Sequence, residues 1–137
     1  MRYLLDTGVW LRAYSATSTI PKPELELLKA KEQPFGLSAI SLWEVAKKHQ
    51  LGKLPLPLPL RDWFSHALGD NVQVLPLTPK VVADATALPE FPNRDPADEL
   101  IVATARVHRL TLLTTDTALR KYRHAQIRYF TPTLPSH

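Results

Sequence analysis

Four acids in this chain have the type and setting to do chemistry: Asp6, Glu44, Asp98 and Asp116. Asp6 closes the apolar run Tyr3-Leu4-Leu5, and Asp116 closes Leu112-Leu113-Thr114-Thr115. Glu44 and Asp98 fall in the first turns of helices expected over 38–51 and 95–108. Carboxylates brought within a few ångströms repel one another and resist ionising together. Bound divalent cations relieve that repulsion, and an all-oxygen donor set selects Mg²⁺ or Mn²⁺ over Zn²⁺. The natural reaction of such a centre is phosphodiester hydrolysis. One metal polarises the phosphoryl oxygen and lowers the pKa of an attacking water, and a second can stabilise the leaving oxygen.

Other chemistries find little support. There is no cysteine, hence no thiolate nucleophile, thiolate metal site or disulfide. The five histidines, His49, His66, His108, His124 and His137, form no H-x-x-x-H pair and read as surface or helix-end residues. Four glycines, none in a G-x-G-x-x-G or Walker arrangement, leave no phosphate-cradling loop. The competing explanation of the acids is helix capping. Ser41-Leu42-Trp43-Glu44 and Asp95-Pro96-Ala97-Asp98 both match a capping box, and Asp6 and Asp116 stand where N-caps stand. Capping accounts for any one acid. It does not account for four helix starts on one edge all choosing a carboxylate.

Strands are expected over 2–5, 35–37, 72–77, 111–114 and 127–130. Helices are expected over 9–14, 24–32, 38–51, 61–68, 79–88, 95–108 and 118–122, with Pro96 at the first helical position, where its missing N–H is harmless. Residues 54–60 alternate leucine and proline, which makes an extended connector across the surface. Strands alternating with helices require crossovers, so the fold class is α/β: a central, mostly parallel sheet of four to five strands with helices on both faces. Ligands in such folds bind beyond the carboxyl ends of the strands. That rule brings the four acids to one edge.

The 137 residues fit one domain spanning 1–137. No apolar run approaches the ~20 residues of a membrane helix, and the absence of cysteine suits a reducing cytoplasm. A net charge of +4 and a pI near 9.5 favour a polyanionic partner, although many soluble basic domains share that balance. Arg12, Lys47, Lys48, Arg94, Arg120 and Lys121 are candidates to hold a nucleic-acid backbone. Trp10 and Trp43 lie on apolar helix faces, which favours core or dimer packing over base stacking. Thr7 and Thr114 are placed either to brace the carboxylates or to bond their own turns. Asp95, directly before Pro96, is read as a cap.

The ordered motifs resemble those of the PIN-domain ribonucleases, in particular the VapC-type toxins of bacterial toxin–antitoxin pairs. The resemblance runs from Tyr3 to about Phe130. Tyr3-Leu4-Leu5-Asp6-Thr7 looks like the first motif, and Ser38 to Ala46 the second, with Glu44 as its acid. Leu51-Gly52-Lys53-Leu54 is typical of one toxin-like branch. Asp95 to Ala105 looks like the third motif, carrying Asp98, and Thr114-Thr115-Asp116 the fourth. Glu99 departs from that branch, which often has a basic residue there. The resemblance implies a three-layer α/β/α sandwich and Mg²⁺- or Mn²⁺-dependent endonucleolytic cleavage of RNA. It also implies a homodimer and a VapB-type antitoxin that blocks the site.

Two rival readings remain at this stage. The first is a non-catalytic PIN-fold domain that binds RNA or an antitoxin, although clustered negative charge gives no advantage in gripping a polyanion. The second is another phosphoryl-transfer α/β domain. A response-regulator receiver needs an acidic pair at the first strand end, and a haloacid-dehalogenase-type phosphatase needs Asp-x-Asp there. Asp6-Thr7-Gly8 offers neither.

Overall fold

The structure, a computed structural model, describes residues 1–14, 19–30 and 32–132. His137, and Lys31 within the expected helix 24–32, lie outside the described residues. Five strands, β1 (Tyr3–Leu5), β2 (Phe35–Ser38), β3 (Val72–Leu75), β4 (Thr111–Thr114) and β5 (Ile127–Tyr129), form one sheet in the order β3-β2-β1-β4-β5. Every pairing is parallel. The central strand β1 sets Tyr3 opposite both Phe35 and Thr111, and Leu5 opposite both Leu37 and Leu113.

Both faces of the sheet are covered, so its inner strands are mostly apolar, as buried parallel strands require. Alternate side chains divide between two cores. Leu5, Phe35, Leu37 and Leu113 face helices α1 (Thr7–Ala13), α2 (Lys22–Lys29), α3 (Ala39–Gln50) and α4 (Leu60–Leu68) through Val9, Trp10, Leu28, Val45 and Trp63. Leu4, Leu75 and Leu112 face α6 (Pro96–His108) through Ile101, Val102 and Ala105. The short helix α5 (Pro79–Ala85) packs on α6 through Val81, Ala85 and Ala103. Gly36 makes the second core possible: a Cβ there would lie 2.9 Å from Leu75 Cδ1 and 3.1 Å from Leu4 Cδ1.

Helix α6 reaches the acid edge although it follows no strand directly. Its last turn closes with Arg109 in the left-handed region (φ 56°), Arg109 N–H bonding Arg106 O and Leu110 N–H bonding Ala105 O. Only two residues then separate it from β4, which starts at the amino edge of the sheet. A helix of 13 residues is ~20 Å long, so its other end, with Asp98, stands toward the carboxyl edge.

Several expected boundaries shift for identifiable reasons. β3 stops at Leu75 because Pro76 has no N–H for the ladder. α1 starts at Thr7, two residues early, because Asp6 caps it. α2 runs over 22–29 instead of 24–32, and α5 ends at Ala85 instead of 88. The expected helix at 118–122 is absent. Its backbone makes successive tight turns, with Leu119 N bonded to Asp116 O, Arg120 N to Thr117 O and Tyr122 N to Leu119 O. Five residues are too few to repay helix nucleation, and the Tyr122 hydroxyl is tied to Pro89 O at 2.7 Å. The Leu/Pro connector is neither helix nor strand over 54–59, as expected, but it bends at Leu54 and at 57–58 and gives Leu60 to α4; Leu54 and Leu56 rest on the first core. Among the described residues no helix is long and apolar enough to cross a membrane.

Trp10 is fully buried, and its ring meets that of Trp63 edge-on at 5.0 Å. Its Nε1–H donates to Ala67 O at 2.9 Å, satisfying a carbonyl that the end of α4 leaves without an intrahelical partner. Trp10→Phe keeps an aromatic ring but strands that carbonyl. Urea unfolding should show a loss of about 2–3 kcal/mol; a loss within error would mean the bond does not join α1 to α4.

Candidate active site

Asp6 is anchored from three directions. Its backbone N–H bonds Leu113 O at 3.0 Å, extending the β1–β4 ladder by one residue. One carboxylate oxygen accepts the Thr7 N–H at 2.8 Å, and the other accepts the Thr114 hydroxyl at 2.6 Å. The side chain is buried. Burial pushes its pKa up, the bonds from Thr114 and Thr7 oppose that, and the charges of Glu44 and Asp116 raise it further.

Glu44 arrives from α3. The Thr7 hydroxyl donates to Glu44 Oε1 at 2.7 Å and also meets the buried Ser41 Oγ at 2.8 Å. Thr7 has a single hydroxyl proton and gives it to Glu44, so Ser41 is the donor in the second bond. Ser41 and Glu44 are three residues apart and share a helix face. They do not form the expected capping box: α3 starts three residues earlier, and Ser38 caps it through the Ile40 N–H at 3.3 Å.

Asp116 and Asp98 complete the group. The Thr114 hydroxyl, while donating to Asp6, accepts the Asp116 N–H at 3.0 Å, so one oxygen links two acids. Asp116 also accepts the Ala118 N–H at 2.8 Å, which is a turn bond and not a helix cap. Asp98 accepts from Asn93 Nδ2 at 3.2 Å. Its pKa is pushed up to about 7, first by burial and then by the charges of Asp6, Asp95 and Asp116. Asp95 caps α6 through the Ala97 N–H at 2.9 Å, as read from the sequence, but its charge also reaches Asp98.

The four acids therefore share one edge and feel one another's charge. Among the described residues no three His, Asp or Glu side chains already stand at the spacing that holds a metal ion. The donor set nonetheless suits a hard divalent cation: carboxylate oxygens, partly desolvated, mutually repelling and free of sulfur and imidazole. Among the described residues the ion pairs are Arg106–Asp84 and His124–Glu90, neither of which involves these acids.

The basic candidates separate clearly. Arg12 donates to Thr115 Oγ1, next to Asp116. Lys47 turns to Gln50 on its own helix at 2.9 Å, and the Arg120 guanidinium lies 4.9 Å over the Tyr129 ring. Lys48, Arg94 and Lys121 are exposed. Trp43 is not core: it is 59% exposed on α3. Sequence reasoning missed Asn93, Ser41 and Thr115. Asn93 alone had a signal, since Asn-x-Asp-Pro marks a side-chain-closed turn, and Asn93 Oδ1 does accept the Asp95 N–H at 2.9 Å. A cavity of about 660 Å³ lies at the opposite edge of the sheet, among Lys80, Asp84, Arg106, Arg109 and Arg123, away from the acids.

The raised Asp98 pKa fixes a pH dependence. An acid that holds its proton more tightly when folded stabilises the fold at low pH and loses that contribution as pH rises from its ordinary 3.8 to about 7. Asp98→Asn should therefore match the wild type near pH 4 in EDTA. Above pH 7 it should melt about 2–4 °C higher, the shift that ~1 kcal/mol produces in a chain of this size after allowance for solvent screening. Differential scanning calorimetry reads this directly, and a variant that melts no higher than the wild type at pH 8 would contradict it.

Comparison with known proteins agrees with this geometry. The model of the PIN domain family matches residues 3–125. Over 90 residues the chain is 40% identical to the protein named Ribonuclease VapC22 of Mycobacterium tuberculosis, covering 66% of this chain and 68% of that one. Its fold is similar to VapBC2 from Rickettsia felis, solved bound to a DNA fragment from the promoter, with TM-score 0.72, 19% identity and coverage of 95% and 99%. It is also similar to FitAcB from Neisseria gonorrhoeae, with TM-score 0.63, 25% identity and coverage of 95% and 97%. With a parallel α/β/α sandwich, acids gathered at one sheet edge and a family match over nearly its whole length, this chain belongs to the PIN domain family.

Proposed function

We propose that this chain is a divalent-metal-dependent endoribonuclease, the toxin of a type II toxin–antitoxin pair. The observation that carries the reading is the set of four acids on one edge, bracketed by the Thr7 and Thr114 hydroxyls and without a counter-cation among the described residues. Asp6, Glu44, Asp98 and Asp116 are the residues that would hold Mg²⁺ or Mn²⁺. When bound, the metal lowers the pKa of an attacking water and polarises the phosphoryl oxygen. The protein's part is to hold the carboxylates in place. Thr114 fixes Asp6 and the start of the Asp116 turn together, and Thr7 fixes Glu44 across from Asp6. A holder that does not rearrange during reaction adds no reorganisation cost at that moment.

The relative named Ribonuclease VapC22 supports RNA as substrate. The VapBC complexes among similar folds support a VapB-type antitoxin as partner, and the resemblance to VapC-type toxins implies a homodimer. The basic balance of the chain suits a polyanion. Single-stranded segments are the favoured target, because their backbone and bases are accessible. A cytoplasmic setting suits such a substrate and a chain without cysteine.

Cleavage of end-labelled total RNA, with Mg²⁺ or Mn²⁺ and then with excess EDTA, tests the reading. Asp6→Asn and Asp98→Asn should each lower the rate at least ~100-fold, the scale on which loss of a charge-stabilising group acts, while circular dichroism stays native. Cleavage that survives EDTA, or variants that cut at the wild-type rate, would leave only a PIN-fold binding domain whose acids cap and brace.

A further inference from the structure

Arg12 occupies a position that its role as a surface residue of α1 does not require. A helical side chain leans back toward the N-terminus of its helix. The Arg12 guanidinium therefore returns over the first turn of α1, against Gly8 and Thr115. It lies against Gly8, where an added Cβ would meet Arg12 Nη1 at 3.1 Å and Thr115 Oγ1 at 3.7 Å. Gly8 is helical, and no turn or positive φ demands a glycine there. A side chain there would press on the guanidinium and push it from its present place.

The bond that Arg12 makes is also informative. Among the described residues it forms no ion pair, and its hydrogen bond goes to the neutral Thr115 hydroxyl, one residue before Asp116. The charge is thus held on the residue that precedes Asp116, and among the described residues it forms no ion pair with any of the acids. An arginine carries five N–H donors in a rigid fork, and one bond to Thr115 leaves the others free for another acceptor. An RNA strand entering a site made of four carboxylates meets repulsion wherever metal charge does not reach. A fixed, unneutralised guanidinium at the rim offsets it.

We propose that Arg12 is a phosphate-binding residue of this site, gripping a non-bridging oxygen of the RNA backbone next to the bond to be cut, with Gly8 and Thr115 as its cradle. This rests on the nuclease reading and adds a residue to it. Bidentate geometry is what a guanidinium offers a phosphate and an ammonium does not.

The test is binding of a short fluorescein-labelled single-stranded RNA, followed by anisotropy in Ca²⁺ between about 50 and 300 mM KCl, with the RNA checked intact on a gel afterwards. Loss of one phosphate contact flattens the dependence of log K on log salt by about 0.7 for a single strand. Arg12→Gln should show that change and bind roughly tenfold more weakly at the lowest salt, as loss of a charge-assisted bond does. Arg12→Lys should keep the slope and lose part of the affinity. Gly8→Ala keeps every charge and improves helix propensity, so it should melt higher yet bind more weakly. An unchanged slope in Arg12→Gln, or wild-type affinity in Gly8→Ala, overturns the inference and leaves the nuclease reading intact. A wild-type chain that neither binds nor cleaves RNA overturns both.

Discussion

The constraint that shapes this fold is repulsion among like charges. Asp6, Glu44, Asp98 and Asp116 come from four separate stretches of chain, and each raises the energy of at least one other when ionised. A loose surface would let them turn apart into water. Here they cannot, because each carboxylate or its backbone is fixed to a neighbouring element. Asp6 is fixed to β4 by its own amide and by Thr114. Glu44 is fixed to α1 by Thr7. Asp98 is fixed to the preceding loop by Asn93. The pKa values of Asp6 and Asp98 are raised first by burial, and the charges of neighbouring acids raise them further.

Neutral hydroxyls hold the cluster, and that choice matters. A lysine or arginine bonded directly to the acids would lower their energy but would compete with an incoming cation. Threonine and serine donate one bond each and add no charge. They fix position and leave the negative potential in place. Two apolar cores back this arrangement, one on each face of the sheet. With β1 buried between them, the start of α1 has little freedom to move.

Much of this was legible in the sequence. Apolar runs ending at Asp6 and at Thr114 gave strands with their carboxyl ends in known places, and the alternation of strands with helices implied the parallel sheet. The four acids followed from that topology. What stayed hidden depends on distance between elements, which local pattern does not encode. Ser41 reads as a cap beside Glu44, but it is packed against Thr7, 34 residues away. Trp10 and Trp43 look alike on their helices, yet one is fully buried and the other mostly exposed. The Arg12–Thr115 bond spans 103 residues, and no spacing rule announces it. Residues 118–122 have the composition of a helix and lack only the length to sustain one.

The position of β1 has a further consequence, for synthesis of the chain. Strand β1 precedes the other four in sequence yet is the central one of the sheet, and one of its two neighbours is β4, at 111–114. The bond from Thr114 to Asp6 joins residues 108 apart. Contacts of such sequence separation form late, because the intervening loop must close first. A ribosome extends the chain from its amino end at ~5–20 residues per second. For most of that time Asp6 exists without Thr114, Asp98 or Asp116, and the sheet edge that gathers them has not been built. The gathering of the acids is therefore a late event of folding, set by topology and not by the local sequence around any one of them.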